Sequence, residues 1–89
     1  MNISKIVKGI LAEVLYYEVK EIKENMYLNS LSFDSYAQRD FISDLKYEYN
    51  IKLTEDIFSL NAIKTVKDLI NLVKKYNEMI DLLQKQKIK

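Results

Sequence analysis

Three stretches of this chain repeat apolar residues at the i, i+3, i+4 spacing of a single helix face, and no proline interrupts any of them. The first carries Ile3, Ile6, Val7, Ile10, Leu11, Val14 and Leu15, with Lys5, Lys8, Ala12 and Glu13 off that face. It predicts a helix of about four turns. Val19 and Ile22 are spaced to prolong it, since no glycine or proline stops it there. In the second, Ala37, Phe41, Leu45 and Tyr49 recur every four residues, and Asp40, Asp44 and Glu48 form an acidic stripe one residue earlier. Asp34 is a favoured N-cap for this helix and Asn50 ends it. The third stretch runs through Val66, Leu69, Ile70, Val73, Tyr76, Ile80 and Leu83. It opens at Lys64 or Thr65, where Thr65 and Asp68 have capping-box spacing.

Between these helices, residues 25–34 lose the period and read as a loop, yet Met26, Leu28, Leu31 and Phe33 are too apolar to stay in water. They are expected to fold back onto the core. Thr54 with Glu55 and Asp56 reads as the cap of a short helix that includes Ile57, Phe58 and Leu60. No stretch alternates convincingly as a strand. The expected class is all-α, a small four-helix bundle of three long helices and one short one. Residues 1–89 are expected to form one domain, with a core over about 3–76 and residues 77–89 as a helix extension or tail.

The residue inventory narrows the chemistry. A chain of 89 residues buries roughly 64% of its unfolded surface, enough for one modest core and no deep cleft. It has no cysteine and no histidine, hence no disulfide, no thiolate nucleophile, no zinc-thiolate site and none of the commonest general base. A self-contained enzyme is therefore not expected. Neither a secretory pattern nor an apolar run of about 18 residues occurs, which points to a soluble cytoplasmic monomer without a membrane role.

The formal net charge of +1 argues against a nucleic-acid partner. The charge is unevenly placed: residues 1–33 are neutral overall, 34–56 carry −3 and 57–89 carry +4. Lys74, Lys75, Lys85, Lys87 and Lys89 read as a solvated helix end. Tyr47, Tyr49 and Tyr76 fit core or boundary positions. The stripe of Asp40, Asp44 and Glu48 lacks the loop that completes a cation's oxygen shell, so no metal is expected and a solvated docking edge is the better assignment.

Ser35 directly follows the Asp34 cap at the exit of the longest loop. A hydroxyl there is exposed, and a phosphate on it would meet free N–H groups at the positive end of the helix. Without histidine or cysteine to act as its base it is no autonomous nucleophile, so another protein must do any reacting.

The run from Leu31 to Leu53 resembles, without a gap, the central segment of acyl and peptidyl carrier proteins, whose signature is Leu-Gly-x-Asp-Ser-Leu. Leu31, Asp34 and Ser35 match the signature, Phe41 and Leu45 the core positions, Tyr49 the closing aromatic, and Ile51 with Leu53 the strand-like pair after it. Upstream, residues 10–15 resemble the end of the family's first helix, and downstream, residues 64–70 the opening of its last. The likeness covers roughly residues 3–76.

The resemblance implies that Ser35 is the attachment point of a 4′-phosphopantetheine arm, donated from coenzyme A by a separate phosphopantetheinyl transferase. Asp34 would cap the helix beside it. The second helix would be the docking surface, with Tyr36, Arg39, Asp40, Asp44 and Glu48 facing the enzymes that load and modify the cargo. The cargo would be an acyl, aminoacyl or peptidyl thioester. Three residues depart from the pattern. Ser32 replaces the glycine, so the turn must avoid positive φ or bear its cost. Tyr36 replaces a Leu or Met, and Arg39 an apolar residue. These departures and the near-neutral charge point to a stand-alone carrier of a dedicated fatty-acid, polyketide or nonribosomal-peptide type pathway. They also motivate the alternative, an unmodified carrier-like bundle acting as a structural or regulatory subunit.

Overall fold

Three α-helices form where the apolar stripes lie: α1 over Ile3–Leu15, α2 over Ser35–Tyr49 and α3 over Val66–Lys87. The computed structural model describes residues 2–59 and 63–87. Leu60, the side chains of Lys85 and Lys87, and Lys89 lie outside the described residues. Three 3-10 turns, Val19–Glu21, Leu28–Leu31 and Glu55–Ser59, complete the chain, and among the described residues there is no strand. The short helix expected after Thr54 is the last of these turns. Its described residues, Glu55–Ser59, take 3-10 rather than α geometry, and the Thr54 hydroxyl donates to the Asp56 carboxylate. Ile51 and Leu53 are both buried with Lys52 exposed between them, but in coil.

The helices pack α1 against α2 and against α3. Val7, Ile10 and Leu11 of α1 meet Ala37, Phe41 and Leu45 of α2 and Val66, Leu69, Ile70 and Val73 of α3 in one buried cluster. Ala12, placed off the apolar face by its spacing, is buried as well, because α1 is flanked by two helices and needs a wider stripe. Leu28, Leu31 and Phe33 of the long loop are buried and Met26 half-buried, as expected of segments folded back on the core. Phe33, Phe41 and Phe58 meet edge-on, with centroids 5.9, 5.3 and 6.4 Å apart.

α1 does not continue to Ile22. Tyr16 turns left-handed at φ 63, and its N–H returns to the Ala12 carbonyl, as does that of Tyr17 at 2.9 Å. Val19 is consequently exposed, while Ile22 reaches the core only after the chain has turned back. Tyr47, expected at a core or boundary position, is 78% exposed, whereas Tyr49 and Tyr76 pack against the core. Leu83 was placed on the apolar face of the last helix, but Met79, Leu82 and Leu83 are all more than half exposed, so α3 outruns the core it packs on. No helix of the described residues is long and apolar enough to cross a membrane.

The start of α3 holds the loop in place. Its first N–H groups have no intrahelical acceptors: that of Val66 donates to the Met26 carbonyl at 3.0 Å and that of Lys67 to the Glu24 carbonyl at 2.9 Å. Leu28 N–H donates in return to the Lys64 carbonyl at 2.8 Å. The expected box is present. Asp68 Oδ2 accepts from the N–H of Lys64 and of Thr65, at 3.0 and 3.1 Å, and Thr65 Oγ1 accepts from the Asp68 N–H. The Lys64 and Thr65 N–H donors hold the Asp68 carboxyl below the usual carboxylate range. A carboxyl depressed in the folded state stabilises above its unfolded pKa and loses that contribution as pH falls through its folded value. Thermal melts at descending pH should therefore show an acid limb that Asp68→Asn flattens; an identical limb in the variant would contradict the assignment.

Candidate modification site

The approach to Ser35 is built from the loop outward. Leu28 and Leu31 are buried, which anchors the Leu28–Leu31 turn on the core. Ser32 then turns left-handed at φ 60, with its N–H directed to the carbonyls of Asn29 and Leu28. Phe33 drops into the aromatic cluster and donates its N–H to the Leu28 carbonyl at 3.2 Å. Asp34 is extended at φ −82, ψ −175, and α2 begins at the next residue. Ser32, which stands where the resembled signature has glycine, thus takes positive φ and bears its cost. The only glycine of the chain, Gly9, sits inside α1, while among the described residues Tyr16, Ser32 and Asn50 take positive φ. Ser32→Gly should stabilise the fold by about 1 kcal/mol, the left-handed penalty less the added freedom of the unfolded chain. A urea titration checks it; a lower midpoint would mean that the serine side chain makes a compensating contact.

Asp34 caps α2 as expected: its Oδ1 accepts from the Ala37 N–H at 3.0 Å. Gln38 secures the same turn from the other side, donating from Nε2 to the Phe33 carbonyl at 3.2 Å. Ser35 is exposed at the first position of the helix, and among the described residues its hydroxyl takes no hydrogen-bond partner. A rigid backbone therefore presents an unengaged hydroxyl. That is what an enzyme needs from a protein substrate, and an arm attached there displaces nothing.

The remaining candidates divide between the two flanks of α2. Tyr36, 74% exposed, lines a groove with Tyr16, Tyr17, Asp34 and Asp40. Asp40 and Asp44 share a shallow groove with Glu13 of α1. Glu13 thus adds a third carboxylate to this groove, a partner that no local spacing reveals because it depends on how α1 and α2 cross. Glu48 is exposed further along α2 and does not line that groove. Arg39 lies on the opposite side and pairs with Glu55, Nε to Oε1, at 3.5 Å. The structure therefore brings together Asp34, Tyr36 and Asp40, and sets Arg39 apart from the acidic edge. Among the described residues no three His, Cys, Asp or Glu residues are placed to hold a metal ion.

The family model described as the phosphopantetheine attachment site matches residues 5–73, from the first helix into the last. No curated protein matches the chain.

Proposed function

Because the chain belongs to the phosphopantetheine attachment site family, whose members hold 4′-phosphopantetheine covalently, we propose that Ser35 bears the arm and that the protein carries acyl, aminoacyl or peptidyl intermediates. The observation that supports Ser35 is its geometry: an exposed, unengaged hydroxyl at the start of a helix whose preceding turn is held by Asp34 and Gln38. When bound, the arm supplies the thiol that this cysteine-free chain lacks, and cargo rides on it as a thioester. The transfer joins the Ser35 oxygen to the phosphorus next to pantetheine in coenzyme A. It would break the pyrophosphate linkage and release adenosine 3′,5′-bisphosphate, with the serine proton going to a base of the transferase.

The chain's own residues position and orient. Asp34 fixes the first turn of α2, so the backbone that bears Ser35 holds one place relative to the helix. Asp40 and Asp44, joined by Glu13, form an acidic edge about one and a half and two and a half turns past the site. Partner enzymes with a basic patch would be steered there and would dock on α2, without the tight binding that would prevent a shuttle from leaving. Tethering raises the cargo's effective concentration at each partner. On this reading the protein is a tethered substrate of its partners, a monomer of one domain, and serves a dedicated pathway because its charge is near neutral and Tyr36 and Arg39 flank the site. The left-handed Ser32 weakens the unmodified-bundle alternative, because the substitution leaves the turn before Ser35 in place.

Intact-mass measurement after incubation with coenzyme A, Mg²⁺ and a broad-specificity phosphopantetheinyl transferase tests the proposal. One phosphopantetheine per chain is the expected gain. A chain that takes none belongs to the unmodified alternative.

A further inference from the structure

Arg39 is the unusual residue of α2, and its position relative to Ser35 gives it a role. The two stand four residues apart, so they share a helix face with Cβ atoms about 6 Å apart. Side chains on a helix lean towards its N-terminus and cover the preceding turn, which directs a long residue at 39 back over Ser35. In the structure the guanidinium is drawn across to Glu55 of the Glu55–Ser59 turn, Nε to Oε1 at 3.5 Å. Both side chains are more than half exposed, 67% and 56%. A single long contact in water holds weakly and falls short of the two-bond fork that guanidinium makes with a well-placed oxyanion. The other cation of α2, Lys46, lies nearly two turns further on. Asp34 already places a carboxylate beside Ser35, so a phosphodiester formed there adds negative charge that the helix N-terminus meets in part and for which Arg39 is the nearest side-chain cation of α2.

The geometry points to Arg39 as the counter-ion of the modified serine: once Ser35 carries a phosphodiester, the guanidinium leaves Glu55 and forks onto the two non-bridging oxygens. This rests on Ser35 being the attachment point. The exchange is favoured because the phosphodiester is tethered on the same face one turn away, where the guanidinium can fork onto it, whereas the Glu55 carboxylate is presented by a separate element and is met only at 3.5 Å. No bond other than hydrogen bonds changes. Among the described residues, Arg39–Glu55 is the ion pair that joins α2 to the Glu55–Ser59 turn, and that turn carries Phe58, stacked edge-on against Phe33 and Phe41. Modification therefore releases Glu55, exposes an unpaired carboxylate beside the site and loosens one tie of the turn. A partner that docks there meets a different surface before and after the arm is attached.

Nuclear magnetic resonance on the full chain, unmodified and fully modified by mass, tests the exchange in wild type, Arg39→Gln and Arg39→Lys. The Arg39 Nε–Hε resonance and the amides of Glu55–Ser59 should move on modification of the wild type, and those amides should stop responding in Arg39→Gln. The phosphorus resonance of the modified protein should differ between wild type and Arg39→Gln. Arg39→Lys should fall between them, because an ammonium supplies charge without the fork. If Arg39 and the Glu55–Ser59 amides stay still in modified wild type, with the same phosphorus resonance in Arg39→Gln, the exchange is refuted and the attachment stands. If the wild type gains no mass at Ser35, the attachment is refuted and the exchange falls with it.

Discussion

Ser35→Ala is expected to abolish phosphopantetheine transfer completely while leaving the fold intact. Removing the hydroxyl removes the only atom through which the phosphodiester would form at this position. The structural cost is small: the side chain is exposed and, among the described residues, engages no partner. Alanine at the first position of a helix is well tolerated, and exposed substitutions of this kind fall within about 0.5 kcal/mol. Intact mass and a thermal melt on the same sample therefore separate the two effects. An unchanged melt with no mass gain is the expected pair. A mass gain that survives the substitution would move the arm elsewhere, first to the exposed neighbours Ser30 and Ser32.

The second large effect is on stability. Phe41 is fully buried at the centre of α2's inner face and meets both Phe33 and Phe58 edge-on. Phe41→Ala should cost about 3–5 kcal/mol, the transfer term plus the cavity left between α2 and the loops. Small domains are stable by only about 5–15 kcal/mol in all, so the variant should be close to unfolding. At about 4–8 °C per kcal/mol for a domain of this size, its Tm should fall by more than about 12 °C. Circular dichroism melts check this, with Tyr36→Ala as the exposed control. A drop of only a few degrees would mean that the three rings do not form the packed centre beneath the site. Because Phe33 directly precedes Asp34, the loss should also loosen the turn that presents Ser35.

Much of the site was legible before any coordinates. Asp34 as a cap, Ser35 at the helix start, the stripe of Ala37, Phe41 and Leu45, and the Thr65–Asp68 box all appear where spacing placed them. Each depends on residues three or four apart, and interactions at that range are dictated by helix geometry alone. The expected fold-back of Leu28, Leu31 and Phe33 also appears, since apolar side chains in a loop have nowhere favourable to go but the core. Three misplacements share a different origin. Val19 and Ile22 continued a stripe that Tyr16 cuts short. Tyr47 and Leu83 kept an apolar character that no neighbouring element covers. The segment after Thr54 forms a 3-10 turn over its described residues where a short helix was expected.

What the sequence determined by itself is the three long helices, the N-terminal caps of α2 and α3 and the exposed serine at the start of α2, because all of these are local. The tertiary structure decided how that residue is surrounded. It placed Glu13 beside Asp40 and Asp44 across the α1–α2 crossing. It drew Arg39 away from Ser35 to Glu55, sixteen residues further along the chain. It also required Ser32 to adopt a left-handed conformation that a serine disfavours, because Leu31 and Phe33 are both held in the core on either side of it. The physical reason is one of range. Caps and stripes are closed by bonds and contacts within a turn, whereas the charge and strain around Ser35 come from segments that only packing brings together.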